Sequence, residues 1–214
     1  MPDCQRKMKS VLSPPAPDDW IRLLRAWRFW LLGAVAGALL GTGAFYLVPP
    51  PYRARATVIV DFHLEQAWPQ NTDREQFYYL ERETRKLEDV AMSDATLAEV
   101  ARRVQGVPIQ KLRAGKLELS QPGSGGWHFF ANDASPEQAR VLAGAWAKAF
   151  VAEASAQIAA GPAGGLEPYI TFDAAQTEEL PASRSPTRAA YMIVGAAAVL
   201  ALAALSILLL GSQQ

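Results

Sequence analysis

FWLLGAVAGALLGTGAFYLV (Phe29–Val48) and AAYMIVGAAAVLALAALSILLL (Ala189–Leu210) decide the fold. Neither stretch contains a charged residue, and at 1.5 Å rise per residue each makes a helix of about 30 Å, the thickness of a bilayer's hydrocarbon core. Half of the 214 residues are hydrophobic, and the excess is concentrated in these two blocks. Nothing between them approaches their length, so the sequence predicts two transmembrane helices, at 29–48 and 189–210. Thr42 and Ala44 have the spacing of a signal cleavage site, but the apolar run is too long and the preceding segment too extended for a cleaved signal.

Charge sets the orientation. Residues 1–28 carry Arg6, Lys7, Lys9, Arg22, Arg25 and Arg28 against Asp3, Asp18 and Asp19. Basic residues next to the first span keep the N-terminus in the cytoplasm. The second span returns the chain, so the tail 211–214 is cytoplasmic as well and the segment 49–188 is extracytoplasmic. That segment carries fifteen basic and eighteen acidic side chains, which excludes an electrostatic footprint for nucleic acid. Cys4 is the sole cysteine. No intrachain disulfide can form, and the segment 49–188 holds no thiolate site.

Working outward from the spans, Ser13-Pro14-Pro15-Ala16-Pro17 breaks the N-terminal tail, Asp18 or Asp19 can cap a lead-in helix, and Trp20, Trp27 and Trp30 suit the membrane interface. Gly33, Gly37 and Gly41 repeat every four residues, a small-residue face that lets another helix approach closely. The second span has Gly195 to Ala198 for the same purpose. Pro49-Pro50-Pro51 ends the first helix.

Beyond it Arg53 to Phe62 alternates, with Ala56, Val58, Val60 and Phe62 on one face, a half-buried strand. Asp73 to Met92 reads as a helix with Phe77, Leu80, Thr84, Leu87 and Ala91 inward and Glu81, Arg85 and Asp89 outward. On this periodicity Phe77 is core, while Tyr78 and Tyr79 are partly exposed or at a subunit contact. A second helix spans Ser93 or Asp94 to Val104, with Leu97, Val100, Ala101 and Val104 inward and Gly106 as its stop.

Lys116–Gln121 and Trp127–Asn132 read as strands joined by the turn-rich 122–126. Ser135-Pro136-Glu137-Gln138 starts a helix to about Ala160 that buries Ala139, Leu142, Ala143, Trp146 and Phe150, stopped by Gly161-Pro162-Ala163-Gly164-Gly165. Tyr169–Phe172 is a short strand, and Pro181 and Pro186 lead back to the second span. The fold class expected is therefore a two-span membrane protein whose spans flank an α+β domain of order β-α-α-β-β-α-β, a small sheet with helices on one face.

Three blocks, in this order against two spans, resemble the polysaccharide co-polymerase (Wzz-type chain-length determinant) family. They are Pro50-Pro51-Tyr52-Arg53-Ala54-Arg55-Ala56-Thr57-Val58; Asp133-Ala134-Ser135-Pro136-Glu137-Gln138-Ala139 with Ala145-Trp146-Ala147; and Tyr169-Ile170-Thr171-Phe172-Asp173-Ala174-Ala175 followed by Pro181 and Pro186. Within the first block, Pro50, Pro51, Tyr52, Ala54 and Ala56 carry the pattern. The resemblance implies a non-enzymatic inner-membrane scaffold, a homo-oligomer surrounded by membrane lipid. It would regulate chain length or export of O-antigen, capsule or exopolysaccharide, with a polymerase or export machinery and the nascent glycan as partners.

Two departures from the family matter. The glycine-rich turn at 161–165 stands where larger members insert a long helical arm, so the domain would sit low on the membrane. No Gly-x-x-x-x-Gly-Lys-Ser/Thr loop occurs, and the tail lacks both room for a kinase and a tyrosine cluster. A separate cytoplasmic tyrosine kinase stays open as a partner.

The residues themselves offer no catalytic, cofactor or metal set. His63 and His128 lack neighbouring ligands or a nucleophile motif, no Gly-x-Ser-x-Gly elbow exists, and carboxylate pairs such as Glu178-Glu179 and Glu88-Asp89 suit a solvated surface. Phe77, Tyr78 and Tyr79 could alternatively stack on sugar rings. The rival function is a two-span envelope sensor or adaptor that binds a ligand or partner outside the cytoplasm.

Overall fold

The computed structural model describes residues 27–67, 73–104, 107–121, 126–161, 165–178 and 180–211. The expectations for Cys4, Ser13–Pro17, Asp18, Asp19 and Trp20, the stop at Gly106, the turn residues 122–125, the glycine-rich stretch 162–164 and the tail 212–214 lie outside the described residues. The chain divides into two compact units, Met1–Pro50 with Pro186–Gln214 and Pro51–Ser185.

The first unit is a pair of helices, α1 (Trp27–Leu47) and α7 (Arg188–Gly211). Both are long and apolar enough to cross a membrane. Their outward surfaces carry Leu31, Leu32, Val35, Leu39 and Leu40 on α1 and Ile193, Val194, Leu202 and Leu205 on α7, all exposed. Such a surface is unfavourable in water and at home in lipid.

The second unit runs β1 (Tyr52–Asp61), α2 (Leu64–Ala67), α3 (Asp73–Ala91), α4 (Asp94–Arg103), α5 (Ile109–Lys111), a π-helical turn (Leu112–Lys116), β2 (Leu117–Ser120), β3 (Gly126–Asp133), α6 (Pro136–Ala159), β4 (Thr171–Gln176) and β5 (Ala182–Arg184). The sheet is antiparallel in the order β2-β3-β1-β4, with β5 also on β1. β4 takes Thr57–Asp61 of β1 and β5 takes Tyr52–Ala54, so the two share one edge end to end. The alternation read from the sequence sets the inner face. Ala54, Ala56, Val58 and Val60 are buried, and across the ladder Ala54 pairs with Ala131, Ala56 with Phe129 and Val58 with Trp127.

Helix α6 lies on that face. Ser135 caps it, accepting from the Gln138 N–H, with Pro136 in the first turn, and Gly161 at φ +65° follows its last turn. One side meets the sheet: Trp146 is edge-on to Phe129 at 4.9 Å between ring centroids, and Phe150 stacks on Trp127 at 5.7 Å. The other side receives α3 and α4, with the Trp146 indole N–H donating to Ala91 O at 2.8 Å. Arg140, Gly144 and Lys148, four residues apart on one stripe, hold the β4–β5 connection. Arg140 Nε donates to Leu180 O at 2.8 Å and Lys148 Nζ pairs with Glu178 at 2.9 Å, while a Cβ on Gly144 would stand 2.8 Å from Thr177 O.

Several expectations need correction. The last strand is Thr171–Gln176, not Tyr169–Phe172, and β5 follows it between the prolines, making the order β-α-α-β-β-α-β-β with short helical turns added. On α3 Leu87 and Ala91 are buried as expected, but in its first half the inward face differs: Phe77 is 63% exposed while Tyr79 is 5% exposed, and Glu83 is fully buried. Lys116 belongs to the π-helical turn, where Gly115 takes φ +106° to swing the chain into β2.

Asp133, at the end of β3, pairs with Lys116 and accepts from the Ser135 N–H, joining the turn before β2 and the end of β3 to the start of α6. Burial alone would raise its pKa, but the Lys116 hydrogen bond and charge and the Ser135 and Ala134 N–H groups outweigh it and hold the carboxyl below its ordinary value. A lowered folded-state pKa adds stability above the unfolded value that is lost as pH falls through the folded one. Asp133→Asn should therefore be less stable than the parent at neutral pH, and the gap should close as pH drops below 3.8, the ordinary aspartate value. Trp146→Ala should cost about 3–5 kcal/mol, and Trp146→Phe, which strands Ala91 O, about 1–3 kcal/mol. Urea unfolding of the full chain in detergent, read by protease resistance of Pro51–Ser185, checks all three.

Candidate functional site

The small-residue face of α1 lies against α7 of the same chain. A Cβ on Gly37 would stand 2.4 Å from Gly195 O, one on Gly41 2.1 Å from Tyr191 O, and one on Gly195 2.3 Å from Gly37 O. Gly33 is looser, 3.7 Å from Val199 and Leu200. The pairs step down one helix as they step up the other, so the helices run antiparallel with backbones in contact at Gly37, Gly41 and Gly195. Glycine at these positions is a steric requirement of the pair. Phe45 meets Tyr191 edge-on at 5.5 Å and the Arg188 guanidinium lies 5.7 Å over Tyr46 at the same end of the pair. Gly43 has nothing within 4 Å of where a Cβ would go.

The Pro51-Tyr52 part of the first block and the residues between the late prolines meet on one sheet edge. Pro51 O accepts from the Ser185 N–H at 3.2 Å, Tyr52 pairs with Arg184 across the ladder, and the Arg184 guanidinium stands 5.0 Å over the Tyr52 ring. Ala54 and Ala56 are fully buried on the core face. Pro181 immediately precedes β5 and Pro186 follows it by two residues; both are exposed. The chain therefore enters and leaves Pro51–Ser185 on hydrogen-bonded neighbours. Pro50 is buried.

Both histidines are paired with neighbouring polar side chains. His63, at φ +40°, closes the turn after β1 with its N–H on Asp61 at 3.0 Å, Nδ1 near Glu65 at 3.2 Å and Nε2 near Thr171 at 3.0 Å. His128 pairs with Thr57 at 3.1 Å, and burial together with the Arg55 charge pushes its pKa down. Among the described residues no three His, Cys, Asp or Glu side chains gather to hold a metal ion.

Glu83 is buried although its sequence context carries no sign of it. Its Oε1 accepts from Arg82 and Lys86, each at 2.8 Å; Lys86 also donates to Gly165 O at 2.7 Å and Arg82 reaches Glu167 at 3.3 Å. A buried carboxylate thus clamps the segment after α6 onto α3. The Tyr79 phenol nearby is pushed up to about 12, chiefly by burial and then by the Glu83 and Glu167 charges. A groove of about 420 Å³ between α4 and α6, with Ala95, Ala149 and Ala152 in its floor and Glu99, Arg102 and Glu153 around it, is shallow and ion-paired at its rim.

The other distinctive surface is the sheet face away from the helices. Arg53, Arg55, Thr57 and Ile59 of β1 point there beside Asn132, Phe130 and His128 of β3 and Glu118 of β2. The Arg53 guanidinium lies 4.0 Å over the Phe130 ring and pairs with Glu118 at 2.8 Å, and His128 meets Phe130 edge-on at 6.1 Å. Arg55 is exposed, with no carboxylate partner among the described residues.

Gly37→Leu should force the helix pair apart, whereas Gly43→Leu should leave it intact. With Cys4→Ser as background, cysteines introduced by Gly33→Cys and Val199→Cys should cross-link within one chain, and addition of Gly37→Leu should abolish the cross-link.

No model of a known protein family matches the chain, and no curated protein matches it either.

Proposed function

We propose that the chain is a non-enzymatic two-span scaffold of the bacterial inner membrane, with both termini cytoplasmic and Pro51–Ser185 outside the cytoplasm. There it regulates the length or export of a surface polysaccharide. The observation that carries the reading is the pairing of β1 with β5. A domain held by two spans has to receive and return the chain at one place, and Tyr52 opposite Arg184 does so. The two apolar helices, with their glycine contacts and lipid-compatible outer surfaces, supply the anchor. Orientation follows from the basic residues before α1.

The polysaccharide role rests on the order of the three sequence blocks that resemble chain-length determinants. The described residues fit a scaffold well: the core is closed by packing, and the polar clusters serve to clamp segments together. Because α7 occupies the glycine face of α1, self-association would use other surfaces of the spans or of Pro51–Ser185.

Deletion of the gene should shift the length distribution or the amount of a surface polysaccharide on a gel, and the intact chain supplied in trans should restore it. An unchanged polysaccharide, together with loss of an envelope stress response, would favour the sensor reading instead.

A further inference from the structure

We infer that the open sheet face around Arg55 binds an acidic sugar chain, one whose residues carry carboxylates of the hexuronate type. This rests on the polysaccharide reading above and names the chemistry that one surface of it recognises. Three features meet there. The first is a flat platform: Phe130, half-buried, with the Arg53 guanidinium laid over it at 4.0 Å and fixed by Glu118 at 2.8 Å. Aromatic and guanidinium planes present the broad, weakly polar surface on which the axial C–H face of a sugar ring packs.

The second is a hydrogen-bonding rim, Thr57 with His128 at 3.1 Å on one side of Phe130 and Asn132 on the other. The third is charge. Arg53 is neutralised by Glu118, whereas Arg55, opposite Phe130 in the register, has no carboxylate among the described residues. His128 favours the cationic form less than an ordinary histidine, because burial and the Arg55 charge push its pKa down.

The charges on this face are graded along β1. Arg53 and Arg55 occupy the start, Thr57 and Ile59 the middle, and Asp61 the end, where Asp173 of β4 stands opposite Ile59. A carboxylate is attracted to the β1–β3 half and repelled from the β4 half, which fixes where a chain of acidic sugars lies. A neutral glycan gains the platform but leaves Arg55 without a counter-charge. An acidic peptide satisfies Arg55 but lacks rings for the platform. The combination therefore selects a uronate-bearing glycan.

The test uses the full chain in lipid nanodiscs, titrated by calorimetry with a galacturonate oligomer, a maltooligosaccharide of equal length and a glutamate-rich peptide. The galacturonate oligomer should bind more tightly than the other two, and more weakly at high salt. Arg55→Gln, an exposed substitution, should weaken its binding about tenfold, the worth of a charge-assisted hydrogen bond, and Phe130→Leu should weaken galacturonate and maltooligosaccharide alike. Absence of galacturonate binding, equal binding of the peptide, or unchanged affinity in Arg55→Gln would overturn the assignment. Failure here with an altered polysaccharide in the deletion strain removes the site and keeps the scaffold. Uronate binding through Arg55 with an unaltered polysaccharide does the reverse.

Discussion

Helix α6 is shared by two layers, and the rest of Pro51–Ser185 is arranged around how little room it takes. Ala139, Ala143, Gly144, Ala145, Ala147, Ala149 and Ala154 are all buried along it, so the sheet can close on one side and α3 and α4 on the other. The bulky exceptions, Trp146 and Phe150, fill the space that thin neighbours leave. Trp146 also satisfies Ala91 O at the end of α3, a carbonyl that helix termination would otherwise strand in the core. Removing that ring opens both interfaces at once, because the same side chain faces Phe129 and Ala91. With no disulfide within reach, this double contact is what holds the layers together.

Much of this was legible in the residues. The alternation of Ala56, Val58, Val60 and Phe62 marks the inner face of β1, and Ser135-Pro136 marks the start of α6 to the residue, because each rests on a local rule that the tertiary structure leaves intact. The first half of α3 departs from the simple period for a nameable reason. Glu83 is buried with Arg82 and Lys86 supplying its counter-charges locally, and with Glu83 inward the first half of the helix buries Tyr79 rather than Phe77. Strand β5 spans only Ala182–Arg184, too short to show a period, and its pairing depends on β1, 130 residues earlier. Nor could the sequence say that the open face would bring Arg53, Arg55, Phe130 and His128 together, since these come from strands joined only through the register of β1 on β3.

The glycine repeat illustrates a different limit. Spacing alone announced a close helix contact without naming the partner, and the same four-residue step would serve a second copy as well as a second helix. What settles the assignment within this chain is reciprocity: Gly195 stands opposite Gly37 and Gly41, so each backbone needs the other's missing side chain. Gly144 obeys the same logic in the other unit, where it makes room for the Thr177 carbonyl.

The pairing of Tyr52 with Arg184 also makes Pro51–Ser185 portable. Neighbouring antiparallel strands stand about 5 Å apart, so the two ends of this unit close a gap no wider than that of an ordinary tight turn. Spliced into a surface loop of an unrelated host, it would need no linker to bridge its ends and would leave the host's own chain path undisturbed. Entry and exit of this 135-residue cassette, Pro51–Ser185, are thus one and the same place on its surface.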